Sequence, residues 1–506
     1  MKRKIRAIFL IMTLISMLLI VMACNNPEKG SNSDNAKNGG GDANSSDGDK
    51  STQSEFIPAK ADYDNYEFRF LDFIAFGDDW MALRYLEIDP ETSESEPIND
   101  ALFEKNAKVE ELYKVSIKEV RHGEKTDDYN GTTDKTIRLF KAGEDNFDVA
   151  FFPGTALSKL FAEPNIAYDL SKIPELDLSN SWWNQGCVEA FTLGGKLFTV
   201  TGDITIWNSL STTVFYFNKK LLEDLSLEDP YALVRENKWT WDKMGEMAKD
   251  ASKDLNGDSK IDRFDQLGIA SEDGTMAQAV LCAGESITYK DENGMPVLNQ
   301  NLEKISSIID KVMPILRDDT AAYATSDLYG KMQGNPYFAF TMPKFRDNQT
   351  LFYTQQLMVA LNLREMEADF GVLPFPKYDE KQSNYWSFGT DFFMKYIWIP
   401  TTNTETGRTA NIIQAMAYYS QQLVIPAVYD VTITNKALRD EESLEMLELI
   451  NRNRVYDLAT IYNWADVLGV YGNIYNKKTN NLSSAYESRL TRVETEMQKT
   501  IDQLES

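Results

Sequence analysis

The strongest local signal for chemistry is the segment DLNGDSKIDRFD at 254–265, where oxygen-bearing side chains recur at short intervals. Positions one, three, five, nine and twelve carry Asp254, Asn256, Asp258, Asp262 and Asp265, and position seven offers the backbone carbonyl of Lys260. Calcium binds wraps of oxygen ligands with this spacing. The segment departs from the EF-hand pattern because position six is Ser259 and position twelve is Asp rather than Glu. It predicts a structural Ca²⁺ loop, with an unoccupied turn rich in Asp and Asn as the alternative.

Residues suited to acid–base or nucleophilic catalysis are scarce. His122 is the only histidine, and because it lies in the polar segment RHGEKTDD we expect its side chain to be solvated. A single imidazole excludes histidine-rich metal sites and argues against Ser-His-Asp and Cys-His catalytic units. Two carboxylates acting on a glycan remain an alternative, although no motif pairs two acids. We therefore expect no catalytic cofactor, no catalytic residue and no enzyme.

Cysteine is equally scarce, with three residues in the whole chain. Cys24 lies at the border of an apolar N-terminal segment and is considered below, which leaves Cys187 and Cys282. These two could pair in an oxidising exterior, but nothing in the sequence places them close together. We expect two separate buried thiols.

The order of patterns at the start of the body predicts an α/β fold. YEFRFLDF (66–73) alternates as a strand does, VSIKEV (115–120) reads as a second strand, and FDVAFFPG (147–154) suits a buried one. Helical patterns separate them, in NDALFEKNAKVEELYK (99–114) and TDKTIRLFKAG (133–143). Strands that alternate with helices imply parallel pairing through helical crossovers.

Later segments continue the mixture of strands and helices. KLFTVTGD (196–203) is predicted as a strand, and STTVFYFNKKLLEDL (211–225) as a strand that enters a helix. In WTWDKMGEMAKDAS (239–252), Thr240 is expected to cap a helix with buried Met244, Met247, Ala248 and Ala251. PYFAFTMP, FGVLPFP and FFMKYIWIP are apolar runs bounded by prolines, and SAYESRLTRVETEMQKTIDQL (484–504) predicts one amphipathic helix.

The N-terminal segment has the features of an export signal. A basic cluster at 2–6 precedes an uncharged apolar segment at 7–23, and VMAC at 21–24 resembles the lipobox of bacterial lipoproteins, although Met22 is bulkier than usual. This predicts a signal peptide at 1–23, lipidation at Cys24 and a lipid-anchored location on the extracellular face of the cell membrane. An uncleaved transmembrane anchor is the alternative. The polar composition that follows predicts a flexible tether at 24–59.

Length and charge restrict the partners of the chain. With 506 residues it is too long for one small core and suggests two lobes or more. It carries 78 acidic and 52 basic residues, a net charge of −26, and four of those bases lie in 1–23. This acidity argues against binding to nucleic acid and against charge-driven adhesion to anionic lipid.

The segment STTVFYFNKKLLEDL followed by WTWDKM resembles the extracellular solute-binding proteins of ABC importers, in the group that includes maltose-binding protein. FDVAFFPG before it, and FAFTMPKF, FGVLPFPKY and FFMKYIWIP after it, stand in the order expected for that family. The likeness covers most of residues 60–506. The loop at 77–98 and the helical tail at 431–506 fit the pattern loosely, which leaves the identity of the solute open.

The resemblance implies an α/β fold of two lobes, joined by crossing strands, around a cleft that closes on its ligand. We expect residues 60–208 and 348–400 in lobe 1, and 209–347 and 401–506 in lobe 2. The implied function is capture of a small-molecule solute, most simply an oligosaccharide, by a monomer that delivers it to an ABC permease. The family also carries structural calcium loops, in agreement with the acidic segment.

A sugar site combines aromatic faces with planar polar groups, so tryptophans in polar loops are the first candidates. Trp239, Trp241 and Trp398 lie at a helix start or inside a strand and are expected to be structural. Of the pair Trp182–Trp183 we expect one to be buried. The predicted ligand-binding residues are Asp79, Trp80, Trp183, Asp203, Trp207, Arg346, Trp386 and Trp464; the last resembles a late tryptophan platform of the family. Besides an enzyme, a binding subunit of a membrane sensor remains an alternative function.

Overall fold

The computed structural model describes residues 55–73, 87–88, 90, 96–122, 129–364, 366–433 and 441–505. All described residues belong to the compact unit Gln53–Ser506, which is the second of two units in the chain. Asp79, Trp80, Cys24, the predicted signal peptide and most of the predicted tether lie outside the described residues. Among the helices within those ranges, none combines the length and apolar character needed to cross a bilayer.

Eleven strands form within the described ranges of the second unit. They are β1 (Tyr66–Asp72), β2 (Val115–Arg121), β3 (Val149–Pro153), β4 (Thr213–Asn218), β5 (Leu267–Ser271), β6 (Thr288–Lys290), β7 (Pro296–Leu298), β8 (Ala322–Ala324), β9 (Thr350–Gln356), β10 (Phe370–Leu373) and β11 (Lys395–Trp398). They make sheets of four, five and two strands.

Helices cover the sheets and form most of the C-terminal part. They are α1 (Pro97–Tyr113), α2 (Tyr129–Lys141), α3 (Gly154–Phe161), α4 (Gln185–Phe191), α5 (Trp207–Leu210), α6 (Lys219–Asp224), α7 (Pro230–Arg235), α8 (Trp241–Ala251), α9 (Thr275–Cys282), α10 (Leu302–Leu316), α11 (Met342–Arg346), α12 (Ala360–Leu363), α13 (Thr406–Tyr419), α14 (Ile425–Ile433), α15 (Glu441–Arg452), α16 (Ala459–Tyr462), α17 (Gly469–Lys477), α18 (Leu482–Glu487) and α19 (Leu490–Glu505).

The first sheet has the strand order β11-β3-β1-β2. β1 pairs in parallel with β2, Tyr66 opposite Val115, and with β3, Phe70 opposite Val149. This confirms the parallel pairing that the alternation of strands and helices predicted. The last strand, β11, joins antiparallel to β3. The first lobe is therefore an α/β layer closed by a strand from much later in the chain.

The second sheet has the order β10-β4-β9-β5-β8 and divides the chain differently from the expected lobe boundaries. β9 and β10, which lie in the range assigned to lobe 1, are paired with β4 in this sheet. Helix α13, assigned to lobe 2, packs instead against α1 of the first lobe. Strands that are buried along nearly their whole length, such as β9, β10 and β11, do not reveal from sequence which sheet they join, because only their pairing partners differ.

Local elements agree with the sequence at several points and depart from it at others. Helix α8 begins as predicted, since the Thr240 side chain accepts a hydrogen bond from the Lys243 amide at 3.3 Å. KLFTVTGD forms isolated bridges, such as Val200 with Ile397, rather than the predicted strand. The predicted C-terminal helix is interrupted between α18 and α19.

Several predictions about the core can be compared with burial. Cys187 and Cys282 are separate buried thiols, as expected, and the three tryptophans expected to be structural are fully buried. His122 was predicted to be solvated, and this was wrong: it is 3% exposed, hydrogen-bonded to Thr136 and packed edge-on against Phe147. His122 directly follows β2, and its burial rests on these two contacts, which the polar sequence around it does not indicate.

Candidate functional site

Three short segments lie side by side where the chain passes between the lobes, and we call 211–213, 387–390 and 453–455 the crossing segments. The amide of Thr213 donates to the carbonyl of Phe388 (2.9 Å), and that of Thr390 donates to Ser211 (3.0 Å). The amide of Ser387 donates to the carbonyl of Asn453 (3.0 Å). The third segment connects α15, which packs on β10, to α16, which packs on α3. These three crossing segments are therefore hydrogen-bonded to one another and join the two lobes.

The crossing segments border the same edge of both sheets. β5, β8 and β9 are parallel, and β4 is antiparallel to β9, so β4 begins at the edge where those strands end. By the same argument β11 begins where β1, β2 and β3 end. Open α/β sheets bind ligands at the carboxyl ends of their strands. The space between these two edges, which we call the interlobe cleft, is the candidate binding site.

Arg454 connects the crossing segments through its side chain. One guanidinium nitrogen donates to the carbonyl and the side-chain oxygen of Asn208, the latter at 2.9 Å. The other donates to the hydroxyl of Thr212 and to the side chain of Asn451 (2.9 Å). The rigid fork of an arginine suits this arrangement, since it serves several acceptors in one plane. Arg454 thereby fixes the third crossing segment to the first.

The edge of the first sheet carries a partly buried lysine among carboxylates. The Nζ atom of Lys395 lies 2.6 Å from Oδ1 of Asp72 and 3.5 Å from Oε2 of Glu87. Burial alone would lower the pKa of Lys395, but these two neighbours hold it above its ordinary value. The ring of Trp207 lies 5.7 Å from the same nitrogen and stacks on Phe393 at 6.1 Å. This edge thus combines charge with aromatic surface.

The edge of the second sheet carries a carboxylate beside two tyrosines. Glu272 follows β5 directly and accepts a hydrogen bond from the hydroxyl of Tyr337. Burial raises the pKa of Glu272 to about 7. Tyr329 packs edge-on against Tyr337, with ring centroids 6.1 Å apart, and is 53% exposed. An exposed ring next to a hydrogen-bonding group matches what a sugar ring requires.

Two of the predicted ligand-binding residues lie at the cleft edges. Trp207 stands at the first crossing segment, although only 6% of its surface is exposed. Asp203 accepts a hydrogen bond from the side-chain amide of Gln421 at 2.8 Å, and burial raises its pKa to about 6. Trp386 precedes the second crossing segment and is partly buried, with its indole nitrogen facing Gly284.

Three predicted residues have other partners in the structure. The indole nitrogen of Trp183 donates to Gln414 of α13 at 2.9 Å. Trp182 and Trp183 are both buried, whereas the sequence predicted that only one of the two would be. Trp464 stacks on Tyr462 at 4.9 Å and is 3% exposed. Arg346 is exposed, pairs with its neighbour Asp347 and precedes β9, which places it at the edge opposite the cleft.

Sequence reasoning missed the exposed aromatic residues at the cleft edges because it considered only tryptophan. Phe392 lies between the second crossing segment and β11 and is 53% exposed. Tyr329 lies at the corresponding edge of the second sheet. The available signal was an aromatic residue directly before or after an apolar strand, where the carboxyl ends of sheets meet.

The acidic loop at 254–265 folds around its own carboxylates. One oxygen from each of Asp254, Asp258 and Asp265 lies within 4.8 Å of the others. The Asp254 carboxylate accepts the amides of Gly257 and Ser259, and the latter adopts a φ of 65°. Ser259 thus takes the left-handed conformation that glycine supplies in an EF-hand. The donor set therefore fits calcium, and the loop precedes β5, at the edge opposite the cleft.

The sequence matches no family model and no curated protein, but solved structures resemble its fold. A sugar transporter of Rhizobium etli in an open conformation has a TM-score of 0.55 at 13% identity, covering 86% of this chain and 99% of its own. UgpB of Mycobacterium tuberculosis, in complex with glycerophosphocholine, has a TM-score of 0.52 at 14% identity, covering 82% and 98%. An ABC substrate-binding protein of Listeria monocytogenes, in complex with cycloalternan, has a TM-score of 0.50 at 14% identity, covering 87% and 99%.

These similarities confirm the predicted fold class. The chain has the two-lobed α/β fold of ABC solute-binding proteins, with the lobes joined by crossing segments. At identities this low the likeness concerns the fold and does not identify a ligand.

Proposed function

We propose that this protein captures an extracellular solute in the interlobe cleft and delivers it to the permease of an ABC importer. The observation that carries the proposal is the arrangement of the three crossing segments, which set the carboxyl edges of both sheets around one cleft. Rotation about such segments brings two lobes together on a ligand. The proteins of similar fold include a sugar transporter and an ABC substrate-binding protein, which supports the same function.

The proposed solute is an oligosaccharide. Phe392 and Tyr329 offer exposed rings at opposite edges of the cleft, where they can stack on the apolar faces of sugar rings. Asp203 and Glu272 lie at the same two edges and can accept hydrogen bonds from hydroxyl groups. Binding then requires no bond to break, and closure of the cleft is the functional event.

The proposed setting is the outer face of the cell membrane. A monomer would be attached through lipid on Cys24, with the polar segment that follows it as the tether, and a membrane permease would be its partner. Release of a Cys24→Ser chain into the medium is the observation expected from this attachment.

A panel of oligosaccharides tests the function. We expect maltotriose, raffinose or cycloalternan to raise the melting temperature of the full-length protein, with a dissociation constant measurable by calorimetry. Substituting Phe392→Ala removes one ring face and should weaken binding about tenfold, since an aromatic stack contributes roughly 1–1.5 kcal/mol. The matched control is Phe264→Ala, which removes a ring that is 60% exposed on the acidic loop, opposite the cleft.

The panel can also contradict the proposal. Silence across saccharides with a response to peptides would assign another class of solute. New reducing ends after incubation with polysaccharides would indicate an enzyme instead of a binding protein.

We also propose that the acidic loop holds a structural Ca²⁺ ion. Millimolar calcium should raise the melting temperature by about 5 °C relative to a chelator, because an ion that binds only the folded state stabilises it. Asp258→Asn should abolish this difference, whereas Asp250→Asn, at an exposed position on α8, should retain it. Equal melting temperatures with calcium and with chelator would leave the loop as a turn closed by its own hydrogen bonds.

A further inference from the structure

The hairpin formed by β6 and β7 reaches from the second lobe to the first. It lies in the chain between α9 and α10, and α10 packs on β5 and β8. The Nζ atom of Lys290, at the end of β6, donates to the carbonyls of Glu189 and Thr192, the latter at 3.3 Å. The amide of Gly194 donates to the carbonyl of Gly294 in the hairpin turn at 3.2 Å. These bonds connect the lobes outside the crossing segments.

The partner of the hairpin, which we call the receiving segment (189–196), belongs to the first lobe. Phe191 packs against Tyr396 of β11, with ring centroids 5.5 Å apart, and against Tyr456 beside the third crossing segment at 5.8 Å. The fit is close, because a Cβ atom on Gly194 would lie 2.8 Å from the terminal carbon of Met295. The contact is therefore a shaped surface beside the crossing segments.

The base of the hairpin is fixed to the third crossing segment. The carboxylate of Asp457 is buried, and it accepts hydrogen bonds from the amides of Ile287 and Thr288 at 2.7 and 3.1 Å. It also accepts the hydroxyl of Thr288 at 2.6 Å. Asp457 stands two residues beyond the crossing segment, so the hairpin starts close to the axis about which the lobes would turn.

A second connection joins the same two parts. Helix α19 packs against β7, and the carbonyl of Leu504 near its end accepts a hydrogen bond from Lys196 of the receiving segment. The hairpin and the C-terminal helix thus both form hydrogen bonds with the receiving segment.

We propose that the hairpin contact is a fixed pivot of the motion between the lobes, and that Lys290 is its positioning residue. Points near a rotation axis move little, so a contact beside the crossing segments can persist while the cleft opens and closes. Such a pivot restricts the ligand-free lobes to rotation about one axis and prevents them from moving apart beside the crossing segments, and this lowers the entropy lost on closure. The inference rests on the proposed function for its effect on affinity, but the pivot itself is testable without ligand.

Substitution Lys290→Ala tests the positioning role. We expect a larger radius of gyration by X-ray scattering without ligand, and about fivefold weaker binding of the saccharide selected from the panel. The matched control Lys220→Ala removes an exposed lysine of the second lobe that pairs with Asp224, and it should change neither quantity. An unchanged radius of gyration, or tighter binding by the Lys290 variant, would overturn the proposal.

A crosslink tests whether the contact persists. In a Gly194→Cys/Gly294→Cys double variant the two residues are adjacent, since a Cβ on Gly294 would lie 3.5 Å from the nitrogen of Gly194. Oxidised and reduced forms share any strain at these positions, so their comparison isolates the crosslink. We expect the oxidised and reduced forms to show the same decrease in radius of gyration when the saccharide binds, with dissociation constants within twofold of each other. If the oxidised form did not decrease in radius of gyration when the saccharide binds, and reductant restored this decrease, the contact would have to open during closure and the pivot would be overturned. If no saccharide binds any variant, the proposed function fails while ligand-free scattering still reports on the pivot.

Discussion

Replacement of Arg454 by alanine is expected to lower the free energy of unfolding by about 3 kcal/mol and to abolish solute binding. Hydrogen bonds from a charged donor contribute roughly 1.5–3 kcal/mol each, and their removal leaves acceptors on Asn208, Thr212 and Asn451 without a partner. Because these acceptors lie in or beside the first and third crossing segments, the lobes should lose their fixed relative orientation. Urea unfolding followed by tryptophan fluorescence measures the first effect, and calorimetry measures the second.

Two further variants separate the role of Arg454 from a general loss of positive charge. Arg454→Lys keeps the charge but not the fork, so it should recover only part of the stability. Arg452→Ala makes the same truncation at an exposed position two residues earlier and should change stability by less than about 0.5 kcal/mol. Full recovery by lysine, or an equal loss at Arg452, would contradict the assigned role.

The alternation of strands and helices in the first lobe was predictable because each element carries its own period. β1 alternates in burial from Glu67 to Phe70, β3 is apolar throughout, and helix-forming segments separate the strands, so parallel pairing follows from local patterns. The passage of the chain between lobes was not predictable to the same degree. It depends on which partner β9 or β10 pairs with, and that information lies in contacts distant in sequence.

The candidate site shows the same limit at the level of single side chains. Sequence gives the residue type, whereas exposure depends on neighbours that arrive from elsewhere in the chain. Trp183 is buried because Gln414 lies against its indole nitrogen. Phe392 and Phe393 are adjacent in sequence, yet Phe393 stacks on Trp207 while Phe392 remains 53% exposed. No periodicity distinguishes the two, so a platform can be assigned only after the fold is known.

The burial of His122 has a consequence for stability at low pH. Burial, with a contribution from nearby Lys135, lowers the pKa of His122 to about 4, although a hydrogen bond with Asn146 opposes the shift. The unfolded chain takes up this proton near pH 6.5, its ordinary value. Between pH 6.5 and 4 the unfolded state therefore binds more protons than the folded state, and stability falls as the pH falls.

We expect His122 to remove up to about 3 kcal/mol of stability as the pH decreases from 7 to 4, and none above pH 7. Urea midpoints of the wild type and of His122→Gln, measured across this range, isolate the contribution. Carboxyl groups with raised pKa values, such as Asp203 and Glu272, contribute with the opposite sign but are present in both proteins. The difference between the two curves should therefore shrink below pH 6.5 and become constant below about pH 4. Parallel curves would mean that the imidazole is accessible to protons in the folded state, as the sequence alone suggested.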